Sequence, residues 1–276
     1  LGGDEYLILF ERVAENEIAA KAALEELVKR ILACLDKEFD IGEMLRIKVR
    51  ASMGIVVFGV ETYTFDEVLK YADIAMYAAK EDPNLRYRFF DESLKISFER
   101  KIELQLGLKE ARENDHFFVE YQPVVDRDLQ CVGYEALARW NHPLLGRVMP
   151  DDFIPFAEKS GQINEVGESI LRNIFSNKSY WELSNKAGPY ILMINVSAHQ
   201  LMNLLFAEQF ISIAKQFQVP LNRVCMEVTE ASFLTNFDVA LGVINRLRDE
   251  EVQFALDDFG TGYSSLAYLQ KLPIQH

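Results

Sequence analysis

Three stretches decide the fold: "YILMINVS" (residues 190–197), "RVCMEVTE" (223–230) and "VQFALDDFG" (252–260). Each is a short apolar run closed by a polar residue, and each precedes a segment with helical periodicity. The closing residues, Asn195, Glu227 and Asp257, are spaced 32 and 30 residues apart, the length of one strand plus one helix. Such alternation predicts parallel strands joined by crossover helices. In a (β/α)₈ barrel the residues that end the strands gather on one rim, where that fold collects its catalytic groups. Glu135, near the end of "VGYEAL" (132–137), is a fourth polar group for the same rim, and Asp258 follows Asp257 directly. Carboxylates gathered in one cavity repel one another unless a cation neutralises them. Oxygen donors from Asp, Glu and Asn suit a hard divalent cation such as Mg²⁺ or Mn²⁺. The adjacent acids suit a pair of metals of the kind that activates water for displacement at phosphorus. Gly260 and Gly262 allow the following loop to turn sharply. The competing reading is that strand-terminal Asp and Asn are helix caps; spacing alone leaves both open.

Composition narrows the function classes. The chain has 276 residues, 49% hydrophobic and 26% charged, with a net charge of −14. That balance predicts a globular protein and disfavours nucleic acid polymers and anionic membranes as partners. Cys34, Cys131 and Cys225 are far apart and lie in apolar stretches, which points to buried, inert thiols in a reducing, cytoplasmic setting. No zinc-ligand spacing links the four histidines, and no run of about 18 apolar residues could span a bilayer. The opening at Leu1 and the close at "KLPIQH" read as the ends of a piece of a longer protein, whose unseen N-terminal region is a candidate membrane tether.

Ahead of the alternating region, the pattern predicts a strand over residues 6–12, a helix from Glu15 to Leu35, a strand in "RIKVRASMGIVVF" (46–58), and a helix in "TFDEVLKYADIAMYAAK" (64–80) with Thr64 as N-cap. A short strand at 86–91 and a long amphipathic helix from Glu92 follow. "FFVEYQPVV" (117–125) and "QCVGYEALARW" (130–140) then read as a hairpin across "DRDLQ".

The motifs "YEALARW", "HPLLGRVMPDDFIPFAE", "INVS", "EVTE" and "DDFGTGYSSLAYLQKLPI" together closely resemble the EAL family of cyclic di-GMP phosphodiesterases, over residues 97–276. The resemblance implies that Glu135, Asn195, Glu227 and Asp257 ligate metal and that Asp258 serves the second metal. Glu230 matches the residue that holds the loop beginning at Asp258. It further implies that Gln122 and Arg139 contact the dinucleotide, Arg139 through a phosphate, and that Glu135, Asp257, Asp258 and Glu230 carry the catalytic work. Ala138 departs from the family's usual Leu, and the family's catalytic Lys and last metal-binding Glu fall beyond residue 276.

"GGDEY" (2–6), "YADIAMYAAK" (71–80) and "RYRFF" (86–90) resemble the back half of a GGDEF, or diguanylate cyclase, domain. There the resemblance implies metal or hydroxyl contacts for Asp4 and Glu5, and phosphate contacts for Lys80 and Arg86. Pro83, Asn84 and Leu85 replace the usual Gly-Arg-Asn, which weakens the triphosphate end of a GTP site. The expected architecture is thus α/β: the C-terminal part of an α+β GGDEF domain over 1–92, a connector helix over 93–113, and an incomplete TIM-like EAL barrel over 97–276. The expected activity is metal-dependent hydrolysis of cyclic di-GMP to linear pGpG in the complete protein, expected to be a homodimer through its EAL domain. An inactive cyclic di-GMP receptor is the alternative, and a cyclase with a hydrolytic brake is a third reading. Residues 1–276 alone are expected to be neither stable nor active.

Overall fold

A computed structural model describes residues 3–40, 42, 46–59, 62–178, 184–185, 188–229, 233 and 236–257. The chain divides into two units, Leu1–Lys101 and Ile102–His276.

In the first unit, helix α1 (Glu17–Leu35) starts where the Asn16 side chain accepts a hydrogen bond from the Ala19 amide at 2.9 Å. It buries Ala20, Leu24, Val28 and Leu32, a four-residue spacing that keeps one face apolar. Strands β1 (Glu38–Asp40) and β2 (Arg46–Lys48) pair antiparallel. Strand β3 (Met53–Ile55), helix α2 (Phe65–Glu81) and strand β4 (Tyr87–Phe89) form a βαβ unit with β3 and β4 parallel. Thr64 caps α2 as expected: its hydroxyl accepts from the Glu67 amide at 3.3 Å, and the Glu67 carboxylate accepts from the Thr64 amide at 2.8 Å.

Two expectations fail here. Residues 6–12 form no strand, and Tyr6 and Leu9 are 88% and 65% exposed. A strand is stable only where a neighbour takes its backbone groups, and among the described residues none pairs with this run. The single strand expected over 46–58 is broken into β2 and β3 because they have different partners, β1 antiparallel and β4 parallel.

The long helix α3 (Glu92–Glu113) carries the division between the units. In the second unit, β5 (Phe117–Val125) and β6 (Cys131–His142) form the expected antiparallel hairpin. The Asp126 carboxylate organises its turn by accepting from the amides of Asp128 and Gln130, both at 2.9 Å. Strand β7 (Gly146–Val148) pairs with β6, and α4 (Pro150–Lys159) and α5 (Ile163–Ser176) follow. After the two-residue strands β8 (Ser184–Asn185) and β9 (Gly188–Pro189) come β10 (Ile191–Val196), α6 (Ala198–Leu201), α7 (Phe206–Gln216), β11 (Val224–Thr229), α8 (Phe237–Arg248) and β12 (Gln253–Asp257). The sheet order is β12-β11-β10-β6-β5, and β6, β10, β11 and β12 run parallel.

Because successive strand residues face opposite sides, the sheet has two unlike faces. On one, Leu192, Ile194, Val196, Val224, Met226, Val228 and Phe254 pack with residues of α5, α7 and α8 in a single buried cluster. Burying each such side chain contributes roughly 1.5–3 kcal/mol, so this face holds the unit together. The opposite face carries Glu135, Asn195, Glu227 and Asp257.

A second cluster joins Leu104, Leu108 and Ala111 of α3 to Phe117, Trp140 and Phe153. Gly107 sits among them without space for a side chain: a Cβ would lie 2.7 Å from His142 Nε2 and 2.9 Å from Trp140 Cζ2. Both rings are buried, and His142 Nδ1 accepts from the Leu144 and Leu145 amides at 3.1 and 3.2 Å, so the imidazole is pinned. Helix propensity favours Ala over Gly by about 1 kcal/mol. Overpacking a fixed core costs about 1–3 kcal/mol and outweighs it. Gly107→Ala is therefore expected to lower the urea unfolding midpoint; a raised midpoint would mean that the two rings yield.

Candidate active site

Strand register assembles the polar wall. Asn195 on β10 lies directly opposite Glu227 on β11. Glu135 on β6 lies opposite Met193, which places Asn195 one pleat further along the same face. Asp257 lies opposite Thr229, one pleat beyond Glu227. The structure thus brings together these four described residues, although Glu135 lies inside β6 rather than near its end, because pairing with β5 and β7 carries that strand on to His142. Asn195 Nδ2 donates to Glu135 Oε1 at 2.8 Å, tying β10 to β6 through side chains as well as backbone.

Charge accumulates on this wall. Burial, followed by the negative charges of Glu135 and Asp257, pushes the Glu227 carboxyl up to about 7. Burial, with Glu227 as a lesser cause, raises the Cys225 thiol to about 11, so this cysteine is an apolar spacer rather than a ligand. The expected burial fails for the other two, since Cys131 is half-buried and Cys34 is exposed on α1, away from its buried face of Ala20, Leu24, Val28 and Leu32. Among the described residues, no three Asp, Glu, His or Cys side chains gather tightly enough to hold an ion. Glu135 is occupied by an amide N–H. The donor set nevertheless fits a hard divalent cation: its donors are oxygens, half a turn of the Asn195 amide offers Oδ1 in place of Nδ2, and the raised Glu227 pKa marks negative charge that a cation would relieve.

Gln122 on β5 pairs in register with Glu135 and is exposed on the same face. Arg139, four residues past Glu135, is buried; its Nε donates to Glu120 Oε2 at 2.9 Å and its Nη1 to the Ala138 carbonyl at 2.8 Å. Arg147 of β7 pairs with the same carboxylate oxygen. Sequence reasoning passed over Glu120 and Arg147. The hairpin register held the signal for Glu120, since it sits one pleat from Gln122 and diagonal to Arg139. Asp258 and Glu230 lie outside the described residues.

In the first unit, Asp4, Glu5 and Lys80 are exposed. The Arg86 guanidinium pairs with Asp36 through Nη1, while its Nε and Nη2 are buried without a hydrogen-bond partner among the described residues. A phosphate contact by Arg86 would compete with that pair. No helix among the described residues is long and apolar enough to cross a membrane.

Residues 106–276 match the family described as EAL domain. The chain belongs to the EAL domain family. Residues 1–86 match a second family, diguanylate cyclase, GGDEF domain, so the chain is a GGDEF–EAL tandem whose EAL part has the TIM-barrel-like α/β fold expected from the strand spacing. The bifunctional diguanylate cyclase/cyclic di-GMP phosphodiesterase MucR of Pseudomonas aeruginosa is 32% identical over 274 residues, 99% of this chain and 39% of that protein. The cyclic di-GMP phosphodiesterase PdeR of Escherichia coli is 31% identical over 99% of this chain and 40% of its own length. The chain thus spans about two fifths of these curated relatives. Among solved structures, the PaMucR phosphodiesterase in complex with c-di-GMP superposes with a TM-score of 0.58 and 32% identity, over 63% of this chain and 70% of that one.

The raised Glu227 carboxyl of this EAL wall makes stability depend on pH. The ordinary value is 4.5 and the folded value about 7, so the folded state binds the proton more tightly. This group's contribution to stability is then greatest below 4.5 and declines as pH rises through 7. Urea unfolding in chelator at about pH 5 and about pH 8 is expected to show a smaller pH-dependent loss for Glu227→Gln than for the natural chain. Equal losses in both would remove Glu227 from the charged wall.

Proposed function

We propose that the complete protein hydrolyses cyclic di-GMP to the linear dinucleotide pGpG, and that the EAL wall is its catalytic centre. One observation carries the reading: in a chain of this family, Glu135, Asn195, Glu227 and Asp257 share one face of adjacent parallel strands, with a buried arginine beside them. Two of the curated relatives are named as cyclic di-GMP phosphodiesterases, which supports the choice of substrate.

In this reading Glu135, Asn195, Glu227 and Asp257 hold a divalent cation, Mg²⁺ or Mn²⁺, and Asp258 contributes to a second. The cations supply Lewis acidity, which lowers the pKa of water and neutralises charge at the phosphodiester. The chain's own residues do the rest. Arg139 binds and orients a phosphate, Gln122 offers its amide to the dinucleotide from the facing strand, and Glu230 holds the loop that begins at Asp258. Glu227 must lose its proton before it can ligate, so metal affinity is expected to rise with pH through about 7.

The test is turnover by the natural full-length protein. Glu135→Ala is expected to lower kcat for cyclic di-GMP by at least about a hundredfold, the scale on which losing one transition-state contact acts. Chelation is expected to abolish the natural protein's activity, and Mg²⁺ or Mn²⁺ to restore it. Metal-independent hydrolysis, or a fully active Glu135→Ala protein, would overturn the assignment.

A further inference from the structure

Arg139 is nine-tenths buried, and a buried guanidinium needs partners. It has two. Nε donates to Glu120 Oε2 at 2.9 Å, across the hairpin, and Nη1 donates to the Ala138 carbonyl at 2.8 Å, within its own strand. Nη2 has no hydrogen-bond partner among the described residues. A guanidinium is planar and rigid, so fixing two corners fixes the direction of the third. The Ala138 carbonyl belongs to the backbone and cannot be lost by side-chain substitution; Glu120 is the replaceable half of the clamp.

Glu120 is also shared. Arg147 donates to the same Oε2, so one carboxylate faces two guanidinium groups. Counted as charges, the trio is net positive in a chain whose overall charge is −14. That is a local place for an anion beside an acidic wall that would repel one. The register sets Glu120 opposite Leu137, diagonal to Arg139 and on the face that carries Gln122 and Glu135.

We propose that Glu120 is a positioning residue: by accepting from Arg139 Nε it holds the guanidinium with its free corner turned to a phosphate of the ligand. The proposal rests on the reading of Arg139 as a phosphate contact. It sets Glu120 apart from two simpler roles. A carboxylate that only tied β5 to β6 would affect folding and not binding. One that only competed with the ligand for Arg139 would weaken binding by its presence.

Steady-state kinetics of the full-length protein with cyclic di-GMP separate these roles, with thermal unfolding followed alongside. Glu120→Ala is expected to raise KM about tenfold while kcat stays within about threefold. Glu120→Gln keeps an acceptor for Nε and is expected to fall between; it also serves where the Ala protein does not fold. Arg139→Ala is expected to raise KM, and Glu120→Ala added to it to raise KM no further, because a residue that acts through Arg139 has nothing left to position. An unchanged or lowered KM in both Glu120 variants overturns the proposal, as does a double variant whose losses add. If Arg139→Ala raises KM and the Glu120 variants do not, the phosphate reading stands and only the positioning role falls. If Arg139→Ala leaves KM unchanged, both fall.

Discussion

Parallel hydrogen-bond register is the constraint on which the site depends. In a parallel ladder the backbone bonds are evenly spaced and the side-chain period is two, so shifting one strand by a single residue would move its whole polar set to the other face. The apolar face forbids that shift. Leu192, Ile194 and Val196 alternate with Met193 and Asn195, and Val224, Met226 and Val228 alternate with Cys225 and Glu227. Sliding β10 or β11 by one residue would put acid or amide into the cluster under α5, α7 and α8, at a desolvation cost far above any gain in strand pairing. The repulsive wall is thus imposed by hydrophobic burial on the reverse of the same strands.

Among the described residues, burial and like charge act together on that wall. The bond from Asn195 to Glu135 offers one donor to one carboxylate, while burial first, and then the charges of Glu135 and Asp257, raise the Glu227 pKa. A site left in this condition favours either protons or cations, and the proton is the weaker solution at neutral pH. The two arginines lie along the neighbouring hairpin, gathered on Glu120. The sheet therefore separates charge by strand: negative across β6, β10, β11 and β12, positive where β5, β6 and β7 meet.

Local signals and evenly repeated ones were legible in the sequence. The helix cap at Thr64 depends on residues three positions apart, the hairpin on a five-residue turn, and the strand endings on a repeat of strand plus helix. Features that depend on distant partners were not. The apolar run at residues 6–12 has strand composition and no ladder, and residues 46–58 alternate like one strand while serving two partners in opposite senses. Gly107 interrupts an amphipathic helix for a reason visible only once Trp140 and His142 are folded against it. The Glu120 clamp was hidden in the same way, since its partner is 19 residues away and becomes a neighbour only when the hairpin register is known.

The hairpin also explains how β6 can serve both charge regions. Gly133 lies opposite Ile191, and a Cβ there would stand 2.3 Å from the Ile191 carbonyl oxygen. The obstacle is backbone, so no rotamer change could relieve it; any side chain at this position would force β10 away from β6. Glu135 is the next residue along on the same face, and its 2.8 Å bond from Asn195 requires those strands to stay close. Beside Gly133 the ladder to β5 shifts register: Val124 pairs with Gly133 and Val125 with Cys131, so β6 carries one extra residue there. One glycine thus permits the approach that joins the hairpin, with its arginines, to the parallel strands that carry the acids.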